Sequence, residues 1–135
     1  MPRGMRKPET VKLDLPDGNW ILLKKWLTAR ETRELFGRMM KTLPDGSRGD
    51  EIDPLNVGIA KAVVYLLDWS ITDADDQPLV IRDAPPELVW DILNDLDHAT
   101  FRDVIQAVEA HEDQTDRERE DEKKTRTGAA TLLQT

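Results

Sequence analysis

Four aspartates fall within nine positions in DWSITDADDQPLVI, residues 68–81, and carboxylates so close together are what a divalent cation needs. A calcium loop of the EF-hand type requires oxygen ligands at alternate positions, a glycine at the sharp bend and a bidentate glutamate at its twelfth position. Counted from Asp73, the run Asp73, Asp75, Gln77 begins in that way, but Pro78 takes the place of the glycine and Ala84 that of the glutamate. The residues fit a hairpin better. Trp69 to Thr72 lead in, Asp73 to Gln77 turn, and Pro78 to Ile81 return, with the aspartates serving local turn hydrogen bonds. A second set, Asp91, Asp95 and His98, has the spacing to meet on one helical face. A solvated acidic face accounts for the same residues, and Asp97 suits the cap of a further helix.

Other chemistry is sparse. The two serines, Ser47 and Ser70, fall in a loop and at a strand end, and the two histidines, His98 and His111, read as helix-surface residues. No nucleophile elbow, zinc-protease motif or phosphate-cradling glycine loop occurs, so the chain is expected to be non-enzymatic and to use no cofactor or metal. With no cysteine, disulfides and thiolate ligands are excluded, and a reducing compartment is expected.

The elements that would position these residues follow from pattern. Val11, Leu13 and Leu15 alternate, and Pro16-Asp17-Gly18-Asn19 turns the chain into a returning strand, Trp20 to Leu27, that is apolar on both faces. Thr28-Ala29-Arg30-Glu31 is a capping box opening a helix with the stripe Leu35, Phe36, Met39, Met40 and Leu43. A second LPDG at 43–46 reuses the turn chemistry of the first, and SRGDEIDP after it reads as a polar linker. Asp53 and Pro54 cap a helix expected through Leu67, with Leu55, Ile59, Ala62, Val63, Leu66 and Leu67 on its inner side and Val57, Val64 and Tyr65 adding apolar surface elsewhere around the axis; a helix apolar nearly all round is central or covered by a partner. Asp83, Pro85 and Pro86 open a third helix, lined by Leu88, Val89, Ile92, Leu93 and Leu96, with Trp90 off that stripe. Phe101, Val104, Ile105 and Val108 mark a fourth, expected to run to about Glu112 before a run of charge that cannot bury a face. GAATLLQT at the end reads as a frayed terminus or a short docking peptide.

The expected architecture is thus mainly α with a small β component: an N-terminal β-hairpin, four helices, a short second hairpin between the second and third helices, and a flexible charged C-terminal tail. Residues 1–8 are expected to be flexible, 9–113 to form one mostly helical domain, and 114–135 to be a charged, disordered or helical extension. The basic start MPRGMRKPET contains no apolar stretch like that of a signal peptide, so neither secretion nor membrane insertion is expected. Charge is uneven: residues 1–48 carry eleven Lys or Arg against six Asp or Glu, and residues 68–97 carry nine acids against Arg82 alone. This asymmetry can steer association with a charged partner or let copies attract head to tail, and self-association is expected, whereas nucleic-acid binding is disfavoured at a pI of about 4.8. Aromatic side chains are the best candidates for partner contact: Trp90, and with it Trp20, Trp26 and Tyr65.

Hairpin, capped helix, the segment VVYLLDWSITDADDQPLVI, the proline-started PPELVWDILNDL and an amphipathic helix trailing into EDEKKT together resemble the tail assembly chaperones of long-tailed (siphovirus-type) bacteriophages. The resemblance spans about residues 9–126 and centres on the W-S-I-T-D-x-D-x-x-P-L stretch, Trp69 to Leu79; Asp76 and Gln77 stand where that family's hairpin turn carries glycine. It implies a non-enzymatic, largely helical protein of the infected host bacterial cytoplasm. Such a protein binds the tape measure protein and tail tube subunits so that the tube polymerises around the tape, and is absent from the mature virion. It also implies a longer frameshifted form joining at the charged terminus, Asp116 to Arg126. The competing expectation is a structural neck or tail adaptor retained in the particle.

Overall fold

Leu15-Pro16-Asp17-Gly18 reverses the chain between β1 (Thr10–Asp14) and β2 (Trp20–Lys24). The Gly18 N–H donates to the Leu15 carbonyl at 3.1 Å and the Asn19 N–H to Asp17 Oδ1 at 3.0 Å. Gly18 itself sits at φ 90°, a conformation open to a residue without Cβ. The structure, a computed structural model, describes residues 4–134, with side chains described for 4–121. Within it β2 is the middle strand of an antiparallel sheet ordered β1-β2-β5, where β5 is Leu66–Trp69. Of its two apolar faces one is fully covered, with Ile21 and Leu23 in the core and without exposed surface, while Trp20 and Leu22 on the other are half-buried.

Thr28 caps α1 (Ala29–Met39) with both halves of the box formed. The Glu31 N–H donates to Thr28 Oγ1, and the Thr28 N–H to Glu31 Oε1. Burial works against the charge of Glu31, but the Lys24 ammonium and the Thr28 N–H outweigh it and hold the carboxyl below its ordinary value. Leu35 and Met39 pack on Ala60 and Val64 of the next helix, α2 (Pro54–Tyr65). The remainder of the expected stripe departs from it, because the helix stops at Met39. Met40 opens β3 (Met40–Thr42), while Phe36 and Leu43 face solvent.

The stretch expected to be a polar linker is instead a strand, β4 (Arg48–Ile52), paired antiparallel with β3. The second LPDG turn repeats the first bond for bond: the Gly46 N–H donates to the Leu43 carbonyl, the Leu43 N–H to the Ser47 carbonyl, and the Ser47 N–H to Asp45 Oδ1. Gly46 lies at φ 86°. This hairpin shows no apolar alternation because both its faces are largely solvated, so the pattern that marks a half-buried strand is missing.

Asp53 Oδ1 accepts the Leu55 N–H at the start of α2 (Pro54–Tyr65). From Ile59 to Tyr65 its apolar surface is covered by the chain itself, since α1, α3 (Pro86–Asp95) and α4 (His98–Gln134) all pack against it, whereas Leu55, expected on the inner side, faces solvent in the first turn. Ile59, Ala60, Ala62, Val63, Val64 and Tyr65 are all buried. The helix ends at Tyr65 rather than Leu67, since Leu66 onward is drawn into pairing with β2, Ile21 opposite Trp69. It lies close against α4 at Gly58, where an added Cβ would lie 2.8 Å from Ile105 Cγ2. Gly58→Ala is therefore expected to be destabilising, overpacking by about 1–3 kcal/mol against about 1 kcal/mol gained in helix propensity. In an Ile105→Ala background the same change should become neutral or stabilising. Urea denaturation of the two singles and the double checks this, and additive effects would refute the contact.

The aspartate hairpin is a tight turn closed by one bridge, Thr72 with Pro78; of its lead-in residues only Trp69 belongs to β5. Asp76 takes φ 60°, the left-handed conformation a glycine would adopt there. Asp83 also has positive φ, at 59°, and lies in a turn rather than capping α3, which starts behind Pro85 with no side-chain cap. Asp97 does cap α4, accepting the Ala99 N–H at 3.0 Å.

Helix α4 runs on past Glu112 to Gln134, the helical extension that is one of the two expected alternatives, but the expectation that its charged part buries no face is corrected: His111 and Thr115, one turn apart, are 7% and 5% exposed. Neither is a surface residue, because Tyr65, Trp26 and the end of β2 lie beneath that stripe. The packed body therefore extends at least to Thr115. The segment GAATLLQT lies outside the described side chains, as residues 1–3 of the expected flexible start lie outside the described residues.

Candidate protein-interaction surface

The ends of α1 and α2 and the first turns of α3 converge with the β3–β4 hairpin around a shallow groove of about 260 Å³. Trp90 forms part of its lining. Half-buried, it covers the seam between the main core and the smaller α1–α2 core, touching both. Arg38 bridges α1 to α3, its Nη2 lying 3.1 Å from both Glu34 Oε1 and Glu87 Oε1. Glu87's own backbone N–H, and then Arg38, hold the Glu87 carboxyl below its ordinary range. The guanidinium of Arg48 lies over Gly37, where a Cβ would overlap it, so the hairpin is docked on α1 through a glycine. Apolar side chains surround these residues in the chain and face solvent: Phe36, Leu43, Ile52, Leu88 and, at 88% exposed, Leu55. Arg38, Arg48 and the hairpin wall escaped sequence reasoning. The available signal was the repeated LPDG followed by a residue that bonds back to its aspartate.

The other aromatic candidates lie elsewhere. Trp26 lines a separate cleft of about 310 Å³ with Leu35, Tyr65 and Thr115, and is overlaid by cations, with Arg6 4.2 Å and Arg119 5.3 Å from its ring centre. Trp20 lies on the sheet with Lys12 Nζ 4.7 Å from its ring. Tyr65 is 5% exposed and meets the His111 ring edge-on at 5.5 Å, so it is a core residue rather than an outward anchor. His111 Nε2 must carry a proton, because it lies 2.9 Å from the Lys24 carbonyl, which can only accept. The ion pair of Lys61 with Glu112 at 2.8 Å lines the same cleft.

Burial, with the carboxylates of Glu112 and Asp116 nearby, pushes the Tyr65 phenol up to about 12 from an ordinary 10. The folded state thus favours the protonated phenol: this contribution to stability is intact below pH 10 and is lost as pH rises toward 12. Tyr65 is the chain's single tyrosine, so phenolate absorbance reports it alone. The expected midpoint is about 12 in the folded chain, returning to about 10 in denaturant; a folded-state midpoint of 10 would show an exposed hydroxyl.

Of the groups considered for chemistry, Asp73 and both serines are engaged in hydrogen bonds at turns. Asp73 Oδ1 accepts the N–H groups of Asp75 and Gln77 at 2.8 and 3.0 Å. Asp91 and Asp95 end up on α3 and His98 on α4, so the helix break at Leu96-Asp97 takes them off one continuous face. Among the described residues no three His, Asp or Glu side chains gather as metal donors. Ser70 Oγ accepts the Trp20 N–H and donates to Asn19 Oδ1, and Ser47 Oγ donates to Asp45 Oδ1. No family model, curated protein or solved structure matches this chain.

Proposed function

We propose that this chain is a non-enzymatic tail assembly chaperone of a long-tailed bacteriophage, one that binds the tape measure protein and recruits tail tube subunits to it. The observation that carries this reading is the groove beside Trp90, with exposed Leu43, Ile52, Leu55 and Leu88 on the hairpin and helices that form it. Large apolar side chains left in water around a concave surface suit an amphipathic helix laid into it, the form a tape measure segment would take. Arg38 and Arg48 with Glu87 and Asp91 supply charges of both signs to fix its direction. The chaperone acts in the host bacterial cytoplasm and leaves before the virion matures.

Co-expression with the tape measure protein of the same phage tests this. The two should co-purify, and Leu55→Glu with Leu88→Glu, both at exposed positions, should weaken binding at least tenfold while leaving the fold unchanged. Failure of the wild-type chain to bind would overturn the proposal. Mass spectrometry of purified virions separates it from the neck or tail adaptor, since the chaperone should be missing and an adaptor present.

A further inference from the structure

Strand β1 lies at the edge of its sheet, and among the described residues no strand pairs with its outer side. The direction in which each of its residues hydrogen-bonds can be read from the hairpin. Lys25 donates its N–H to the Glu9 carbonyl and Leu15 its N–H to the Asn19 carbonyl, and both pairs lie on the ladder that sets Val11 opposite Leu23 and Leu13 opposite Ile21. Bonded and non-bonded pairs alternate in an antiparallel ladder, so the odd-numbered residues bond inward to β2. Thr10, Lys12 and Asp14 therefore turn their N–H and C=O groups outward. Their side chains are exposed too, whereas Val11 and Leu13 are half-buried on the core face.

A free edge carrying a lysine is guarded against most incoming strands, which would set an apolar or basic residue against the ammonium. One partner that satisfies it is the same strand reversed. Among antiparallel self-pairings that join outward-facing groups, one sets Lys12 against Lys12 and another Asp14 against Asp14, both like-charge contacts that destabilise a pair. The register centred on Leu13 sets Lys12 of each copy against Asp14 of the other, twice by symmetry. It also aligns Leu13 with Leu13 and Val11 with Leu15 on the apolar face.

We propose that two copies of this chain join antiparallel through β1, across a two-fold axis at Leu13, with Lys12 of each copy opposite Asp14 of the other. Lys12 and Asp14 exchange backbone N–H to C=O bonds in that pair, and the two three-stranded sheets become one. A five-residue strand pair buries well under the ~1,200 Å² of a standard stable interface. The dimer is accordingly weak, concentration-dependent and loosened by salt. It goes beyond the chaperone reading and does not rest on it, since it involves neither the Trp90 groove nor a tape measure protein; loss of either result leaves the other standing.

Sedimentation of the full chain over a concentration series tests it. The wild type should show a monomer–dimer equilibrium that shifts to monomer as salt is raised. Lys12→Asp alone sets acid against acid and Asp14→Lys alone sets base against base, so each should lower the association constant at least tenfold. An equimolar mixture of the two variants is complementary at both contacts and should recover the wild-type constant. A monomeric wild type, single variants that dimerise normally, or a mixture that fails to recover would each overturn the proposal. Amide hydrogen exchange on the unmodified chain gives a check that needs no variant. The Lys12 and Asp14 amides should slow as concentration rises, while those of Val11 and Leu13, already bonded to β2, should not change. Concentration-independent exchange at Lys12 and Asp14 would refute the register.

Discussion

Trp69→Ala should destabilise the chain by about 3–5 kcal/mol, the range for removing a buried aromatic. Trp69 is 6% exposed, faces Ile21 across the sheet, and donates its indole N–H to the Leu79 carbonyl at 2.6 Å. It thus ties β5 to the far side of the aspartate turn. Alanine would leave a cavity under the sheet and release that carbonyl, with the turn bonds Asp73 N–H to Gln77 O and Leu79 N–H to Ile71 O loosening next. Trp69→Phe keeps most of the volume and loses the hydrogen bond, so it should cost about 1 kcal/mol for the bond itself. Urea denaturation distinguishes the two, and faster amide exchange at Asp73 and Gln77 in the alanine variant locates the damage. An alanine variant within 1 kcal/mol of wild type would mean that the turn stands without its tryptophan strut.

Leu93→Ala is the second large effect, expected at about 2–5 kcal/mol. Leu93 has no exposed surface and, with Val89, seats α3 in the main core. Leu88, on the same helix, is nearly half-exposed. Leu88→Ala should therefore stay within about 0.5 kcal/mol, as surface changes usually do. Comparing the two isolates burial from residue type. Because α3 presents Trp90 and Glu87 to the groove, Leu93→Ala should also weaken the tape measure binding proposed there, even though Leu93 does not line the groove. Equal costs for the two leucines would show that α3 is not seated as described.

The candidate surface was only partly legible beforehand. Trp90 stood out because it falls off the apolar stripe of its helix, and the structure does place it on a rim, at the seam of two cores. Tyr65 stood out for the same reason and is instead deep, because α4 covers the end of α2 that carries it, with His111 against its ring. His111 read as solvated from its charged neighbours, yet it bonds the Lys24 carbonyl across 87 positions of chain. Nothing local to a histidine reveals a carbonyl so far away in sequence.

What the sequence determined by itself is the set of bonds that close within a few residues. Both LPDG turns, the Thr28–Glu31 box, and the Asp53 and Asp97 caps are satisfied by neighbours in the chain, so residue type and spacing suffice to specify them. Only the tertiary structure decided which apolar faces are covered and by what. It ended α2 at Tyr65 by pairing Leu66 with β2, made strands of residues 40–42 and 48–52 that lack alternation, and buried His111 and Thr115 within a charged run. Burial is a property of two surfaces meeting, and the second surface comes from residues far along the chain, where no local pattern records it.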